Sequence, residues 1–240
     1  MPELMRNLLL FLLPFLVLLS CNESPLTPLP KRERAGLHVL NVYAGVESID
    51  LRLESYEETR RIAEGIRFGT SWPATGYASL ATSPEPADST TRGGTVIKVL
   101  DHADKSELVP NRPIGLIAGV NASYCLVDSF GKPLLVKTAD MLPVVKGDTA
   151  NIRFMNLNGY ILSCSLVSAD GKIRIPNMNF LNFSKFFPFP STRQTFYFVS
   201  DFGGFRLDSI PNFRIEPRKA YSFYLAQNNG ESIGGVEILD

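Results

Sequence analysis

The two halves of this chain repeat one another, and that repetition constrains the fold more than any other feature. Leu37-His38-Val39-Leu40-Asn41-Val42 is echoed by Ile152-Arg153-Phe154-Met155-Asn156-Leu157. Val109-Pro110-Asn111, followed by Ile114, is echoed by Ile210-Pro211-Asn212, followed by Ile215. Ala122-Ser123-Tyr124-Cys125-Leu126 is echoed by Lys219-Ala220-Tyr221-Ser222-Phe223. The offset between copies falls from 115 through 101 to 97 residues, so the first copy is the longer in its middle. The excess falls in Thr82 to Gly94, a polar stretch rich in Pro, Ser, Thr and Gly that reads as an exposed loop. A repeat of about 100 residues has the size of a whole domain.

Within each copy the pattern is that of β-strands. Ile49, Leu51 and Leu53 alternate with Asp50, Arg52 and Glu54; Ile152 and Phe154 flank Arg153; Phe213 and Ile215 bracket Arg214; Tyr221, Phe223 and Leu225 share a face. Alternation over short runs, punctuated by Gly, Pro, Asn and Asp, predicts half-buried strands of a sandwich. One stretch, Tyr56 to Ala63, is rich in Glu and Arg and predicts a turn or two of helix inside a loop. The expected fold is all-β, with two tandem immunoglobulin-like sandwiches at 36–139 and 150–240. The linker is expected at 140–149, where Pro143 and Lys146-Gly147-Asp148 break the pattern.

The amino terminus reads as an export signal. Arg6 and the free amine give a positive start, and an apolar run from Leu8 to Leu19 follows. That run fits a signal core of about 7–15 residues and falls short of the roughly 20 needed to span a bilayer. Leu18-Leu19-Ser20-Cys21 resembles a bacterial lipobox. The resemblance implies cleavage after residue 20, acylation of Cys21 and attachment to the cell envelope, most naturally the outer membrane. An ordinary secretory signal or an uncleaved anchor is the alternative. Two or three acyl chains suffice for stable anchoring where one is marginal. Residues 21–35, with Pro25, Pro28 and Pro30, read as an extended tether.

Charge excludes one class of partner. There are 24 basic and 24 acidic residues, so no net field draws the protein to nucleic acid. Besides Cys21 the cysteines are Cys125 and Cys164, one in each half. Alternation places Cys164 on an apolar face, which favours a buried free thiol over an interdomain disulfide.

Catalytic signatures are sparse. His38 lies in a predicted strand and reads as structural or surface. His102, in Asp101-His102-Ala103-Asp104, offers an imidazole between two carboxylates, which fits either a metal site or a polar hairpin turn. No serine-nucleophile elbow and no His-Glu-x-x-His occurs. No catalytic residue, cofactor or metal is assigned. Aromatic residues carry the binding expectation. Phe180, Phe183, Phe186, Phe187 and Phe189 crowd together, followed by Phe196-Tyr197-Phe198 and Phe202-Gly203-Gly204-Phe205. Either they fill the second sandwich, or some form an exposed platform for a glycan or a protein. The expected binding surface is Trp72, Phe186, Phe187 and Phe189, together with the loop from Thr82 to Gly94.

A first strand, a turn, then Ile49-Asp50-Leu51-Arg52-Leu53, with later strands at Leu116 to Val127 and Arg218 to Ala226, resembles the family called domain of unknown function 4397. The resemblance covers about Gly36 to Gln227. It implies tandem immunoglobulin-like sandwiches, a lipoprotein signal and an envelope location, and no agreed activity. Where that family often has a His-Ala-Ser-Pro-Asp-like turn, this chain has Asn41-Val42-Tyr43-Ala44-Gly45. In the second copy Cys164 is aligned with Asp50. The expected role is non-catalytic binding or structural presentation. A subunit of a surface fibre or export complex is the alternative, and a metal-dependent enzyme built on His102 the least favoured.

Overall fold

The computed structural model describes residues 34–54, 59–81, 96–110, 116 and 119–239. The segment read as an export signal, Cys21, nearly all of the expected tether and the loop from Thr82 to Gly94 lie outside the described residues. The described chain is all-β. Its first lobe contains β1 (Arg34–Val42), β2 (Ser48–Glu54), β3 (Thr59–Arg67), β4 (Thr70–Trp72), β5 (Ala78–Ala81), β6 (Val96–Asp101), β7 (Asn121–Ser129) and β8 (Lys132–Ala139). Its second contains β9 (Thr149–Asn156), β10 (Ser163–Ser168), β11 (Arg174–Asn179), β12 (Phe187–Pro190), β13 (Thr192–Ser200), β14 (Arg206–Ile215), β15 (Ala220–Asn228) and β16 (Glu231–Ile238).

Each lobe is a sandwich. In the first, β1 is flanked by β4 and β5 on one side and by β7 on the other, and β8 follows β7; the facing sheet runs β3-β2-β6. In the second, β12-β9-β15-β16 faces β11-β10-β13-β14. The opening strand of each lobe pairs in parallel with the penultimate one, β1 with β7 and β9 with β15. Leu37, Val39, Ile49, Leu51, Ile97, Val99 and Leu126 fill the first core. Ile152, Phe154, Cys164, Leu166, Phe196, Phe198 and Phe223 fill the second.

The pairings refine the internal alignment. His38 sits beside Ser123, and Arg153 beside Ser222, so Ser123 corresponds to Ser222 and Tyr124 to Phe223, not to Tyr221. A shift of two residues keeps every side chain on its own face, which is why the alternation concealed it. Likewise Ile49 opposes Asp101 and Cys164 opposes Ser200, so Cys164 corresponds to Ile49 and Ser165 takes the position of Asp50. Cys164 points inward with Leu166, while Ser165 faces the other way.

The region read as helical is strand from Thr59, and the residues before it lie outside the described set. Ile49 and Leu51 to Glu54 pair with this strand, so tertiary pairing overrides the local preference of its Arg and Glu residues. Gly65, at φ +63°, sits beside the bulge at Leu51 and donates its N–H to Asp50. The expected tether end also moves, since Arg34 and Ala35 already belong to β1.

Sheets β4-β1-β7-β8 and β12-β9-β15-β16 are covered on both faces. Their outer faces meet, enclosing Leu40, Val42, Cys125, Val127, Met155, Leu157, Tyr224 and Ala226. Beside this apolar zone runs a polar row from each lobe. Pairing aligns His38, Ser123 and Thr138 across one sheet, and Arg153, Ser222 and Glu237 across the other. The rows interlock crosswise. His38 Nε2 lies 3.2 Å from Glu237 Oε2, and its Nδ1 lies 3.0 Å from the Gly76 carbonyl. Arg153 Nη1 donates to Asp140 Oδ1 at 2.6 Å and to Thr138 Oγ1 at 2.8 Å, while its Nε donates to Ser222 Oγ at 2.7 Å. Ser123 Oγ donates to the other Asp140 oxygen at 2.5 Å. Each lobe therefore places its basic residue against the last strand of the other, or against the residue just beyond it.

Candidate functional site

Most of the phenylalanines singled out from the sequence are buried or half-buried, in three places. Phe187, Phe189, Phe196 and Phe198 belong to the second core. Phe186 packs with Ala220, Leu239 and Tyr77 where the lobes meet, and the Arg153 guanidinium lies 4.5 Å from its ring centre. Phe180 and Phe183 border the interlobe apolar zone. Phe186 and Phe189 are each only 8% exposed, so neither forms the expected binding platform. Phe187 and Trp72 are half-buried against the second and first cores. The reason lies in the strand: Phe187 to Pro190 pair with Thr149 to Ile152, and that edge position turns the Phe side chains into the sandwich and the lobe junction.

Two exposed aromatics lie outside those stretches. Phe130 is 65% exposed and Tyr160 is 55% exposed. Their rings meet edge-to-face at 5.6 Å and 63°, and Phe130 also meets half-buried Phe180 at 6.2 Å and 71°. The three side chains come from three turns and both lobes: the β7–β8 hairpin, the β9–β10 loop and the turn after β11.

Each turn is fixed by its own residues. Phe130 holds φ +53°, a left-handed value uncommon outside Gly, Asn and Asp, and the neighbouring N–H of Gly131 (φ +81°) donates to Asp128 Oδ1 at 2.5 Å. Buried Asn156 accepts the Asn158 N–H on its side-chain oxygen, and buried Asn158 accepts the Tyr160 N–H in the same way. Asn158 Nδ2 also reaches Ser232 Oγ at 3.1 Å and the Ala226 carbonyl at 3.3 Å, tying the loop to the β15–β16 hairpin. Gly159 lies close under the junction: a Cβ there would make a tight contact of 3.3 Å with the Asp128 carbonyl oxygen and an ordinary one of 3.5 Å with the Phe180 ring. The Leu181 N–H closes the third turn onto the Asn156 carbonyl at 2.9 Å. Neither Phe130 nor Tyr160 stands in an aromatic-rich stretch. Their sequence signal is an aromatic residue beside a turn glycine, in Phe130-Gly131 and in Gly159-Tyr160.

A second exposed pair, Phe202 and Phe205, caps the β13–β14 hairpin around Gly203 and Gly204. A Cβ at Gly203 would meet the Phe205 ring at 3.4 Å, so that ring folds back over the hairpin.

His102 takes part in a different arrangement. Its Nδ1 donates to Asp50 Oδ1 at 2.6 Å, while Lys105 Nζ donates to Asp50 Oδ2 at 2.8 Å. Burial would raise the Asp50 carboxyl, but the hydrogen bonds from Lys105, His102 and the Gly65 N–H outweigh it and hold the group at about 2. Asp101 and Asp104 instead accept the N–H groups of Ala103 and Ser106, the work of a polar turn. The Lys105 ammonium, 3.4 Å from His102 Nδ1, stands where a metal ion would be repelled. No metal-ligating cluster occurs among the described residues. In the second lobe the corresponding pair is inverted: Ser165 on the strand donates to Asp201 on the turn at 2.5 Å, and Ser163 donates to the other oxygen. Cys125 and Cys164 are buried and unbridged, and burial pushes each thiol up to about 12.

No helix among the described residues is long and apolar enough to cross a membrane. No family model and no curated protein matches the chain. Among solved structures, the chain is similar to a family 26 carbohydrate-binding module from Eubacterium rectale in complex with maltoheptaose, at 10% identity and TM-score 0.26, over 83% of this chain and 95% of that one. It is similar to a candidate cell adhesion protein from Bacteroides uniformis at 9% identity and TM-score 0.26, over 88% and 99%. A candidate adhesin from Bacteroides ovatus matches at 10% identity and TM-score 0.22, over 86% and 93%. At scores of this size neither a ligand nor a partner carries across.

Proposed function

We propose that this protein is a non-catalytic binding protein of the bacterial envelope, anchored through acyl chains on Cys21, most naturally to the outer membrane. Its two sandwiches present the Phe130–Tyr160–Phe180 cluster to a glycan or a protein. The observation that carries this reading is that two exposed rings from different lobes meet on turns held by buried asparagines and a left-handed backbone. Exposed, rigid aromatics supply contact area at low entropic cost. The lipobox and the Pro-rich tether supply the anchoring half of the reading.

Two of the strand edges favour binding over fibre assembly. Edge strand β14 carries Arg206, Asp208, Pro211 and Arg214, and edge strand β3 carries Arg60, Arg61 and Glu64. Charge and proline on an edge discourage the addition of a partner strand.

The test uses labelled mature protein and envelope preparations, from intact and from lysed cells. The wild type should be retained, and a Phe130→Ala/Tyr160→Ala variant with an unchanged thermal midpoint should not. Equal retention of both proteins would remove the cluster from the function. Retention on intact cells would place the ligand on the outer surface, and retention only after lysis would place it inside.

A further inference from the structure

We infer that the ligand of this cluster is a neutral saccharide; the inference rests on the binding role proposed above and names its ligand class. Three observations point there. First, the Phe130 and Tyr160 rings are inclined at 63° rather than stacked, so they form a corner and not one flat plane. A pyranose carries C–H bonds on its faces and hydroxyls around its rim. It can set an apolar face against one ring while its edge meets the other.

Second, the turns that carry or adjoin the rings are rich in amides. Asn179 and Asn182 bracket Phe180 and are exposed. Asn228 ends β15 and exposed Asn229 opens the β15–β16 turn, and Asn158 ties this hairpin to the Tyr160 loop through Ser232. An amide both donates and accepts, which is also the character of a sugar hydroxyl, so one side chain can satisfy a vicinal diol.

Third, charge is scarce. Along 128–132, 157–162, 179–183 and 228–231 the ionisable acids and bases are Asp128, Lys132 and Glu231. Asp128 already accepts the Gly131 N–H. Recognition of a phosphate, sulfate or uronate calls for clustered Arg or Lys, and these turns supply a single lysine.

The preorganisation has a cause in the lobe junction. Phe130 belongs to the first lobe and Tyr160 and Phe180 to the second, so the corner exists only while the two sheets keep their register. Met155, Leu157, Val127 and the Arg153–Asp140 pair hold that register, leaving little freedom for a ligand to freeze.

The experiment is a direct binding measurement of the mature protein against neutral gluco-, galacto- and manno-configured oligosaccharides, with sialylated and sulfated glycans in parallel. Neutral oligosaccharides should bind, and Tyr160→Ala and Phe130→Ala should each weaken them by at least about tenfold. Phe202→Ala/Phe205→Ala, outside the corner, should leave binding unchanged, and thermal midpoints identify any variant that fails to fold. Tyr160→Phe should restore most of the binding, which a purely structural role for the hydroxyl would not predict. Preference for acidic glycans overturns the inference, as does binding that the corner variants leave unchanged. No glycan binding, with envelope retention still dependent on Phe130 and Tyr160, overturns the saccharide and leaves the binding role standing with a protein partner.

Discussion

Arg153 illustrates how a residue can be read correctly by period and wrongly by environment. Its place between Ile152 and Phe154 marks it as facing away from the second core, and it does. The expected solvent there is replaced by the other lobe, and Arg153 is 2% exposed. Its guanidinium is held by Asp140, Thr138 and Ser222 and lies over Phe186. A signal was present: Met155 and Leu157 continue the Arg153 face, as Leu40 and Val42 continue the His38 face. A strand apolar on both faces is a strand covered on both faces. Replacing one member of a buried ion pair strands the other charge. Arg153→Met should therefore lower the unfolding free energy by about 3–5 kcal/mol, and Arg153→Met/Asp140→Leu by clearly less. Urea unfolding of the two variants measures the difference. Equal losses would mean that the pair is not what the interface depends on.

At the level of strands, the alternation located β2, β10 and β14, whose polar positions lie outside their own core. Composition misread the start of β3, where an Arg- and Glu-rich run is held as an edge strand by long-range pairing that no local preference encodes. The candidate site divides the same way. Density of aromatic residues drew attention to Phe186 and Phe189, but hydrophobic density marks cores more often than surfaces. Phe130 and Tyr160 stand alone in sequence and meet only in the folded chain, so the role proposed for them was not legible from spacing. Phe189, paired opposite Ala150 on β9, fills space between the sheets. Phe189→Ala should cost about 3–5 kcal/mol, as large-to-small changes in cores do. Binding per folded molecule should stay unchanged, read by titration at a temperature where the variant is fully folded. A specific loss of affinity would return Phe189 to the ligand surface.

Across the whole molecule, the echo between halves announced two similar lobes but not how they meet. The junction depends on Arg153, Asp140, His38 and Glu237, which lie up to 199 positions apart and differ between the copies. Because that junction buries apolar and polar groups together, the lobes should unfold in one step. Trp72 is the only tryptophan and packs on the first core, so its fluorescence follows the first lobe alone. Its transition in denaturant should coincide with the loss of strand signal by circular dichroism. Two separated transitions would show that the lobes melt independently. The parallel pairing of β1 with β7 has a mechanical consequence. The chain enters the first lobe at Arg34 and runs at once alongside β7 from Gly36 to Val42, in seven aligned residue pairs. A pull on the preceding chain is directed along that strand, so the bonds on its flank are loaded together in shear instead of opening one by one. Under the amino-terminal anchoring proposed above, the strand nearest the anchor would also be the one best placed to bear tension.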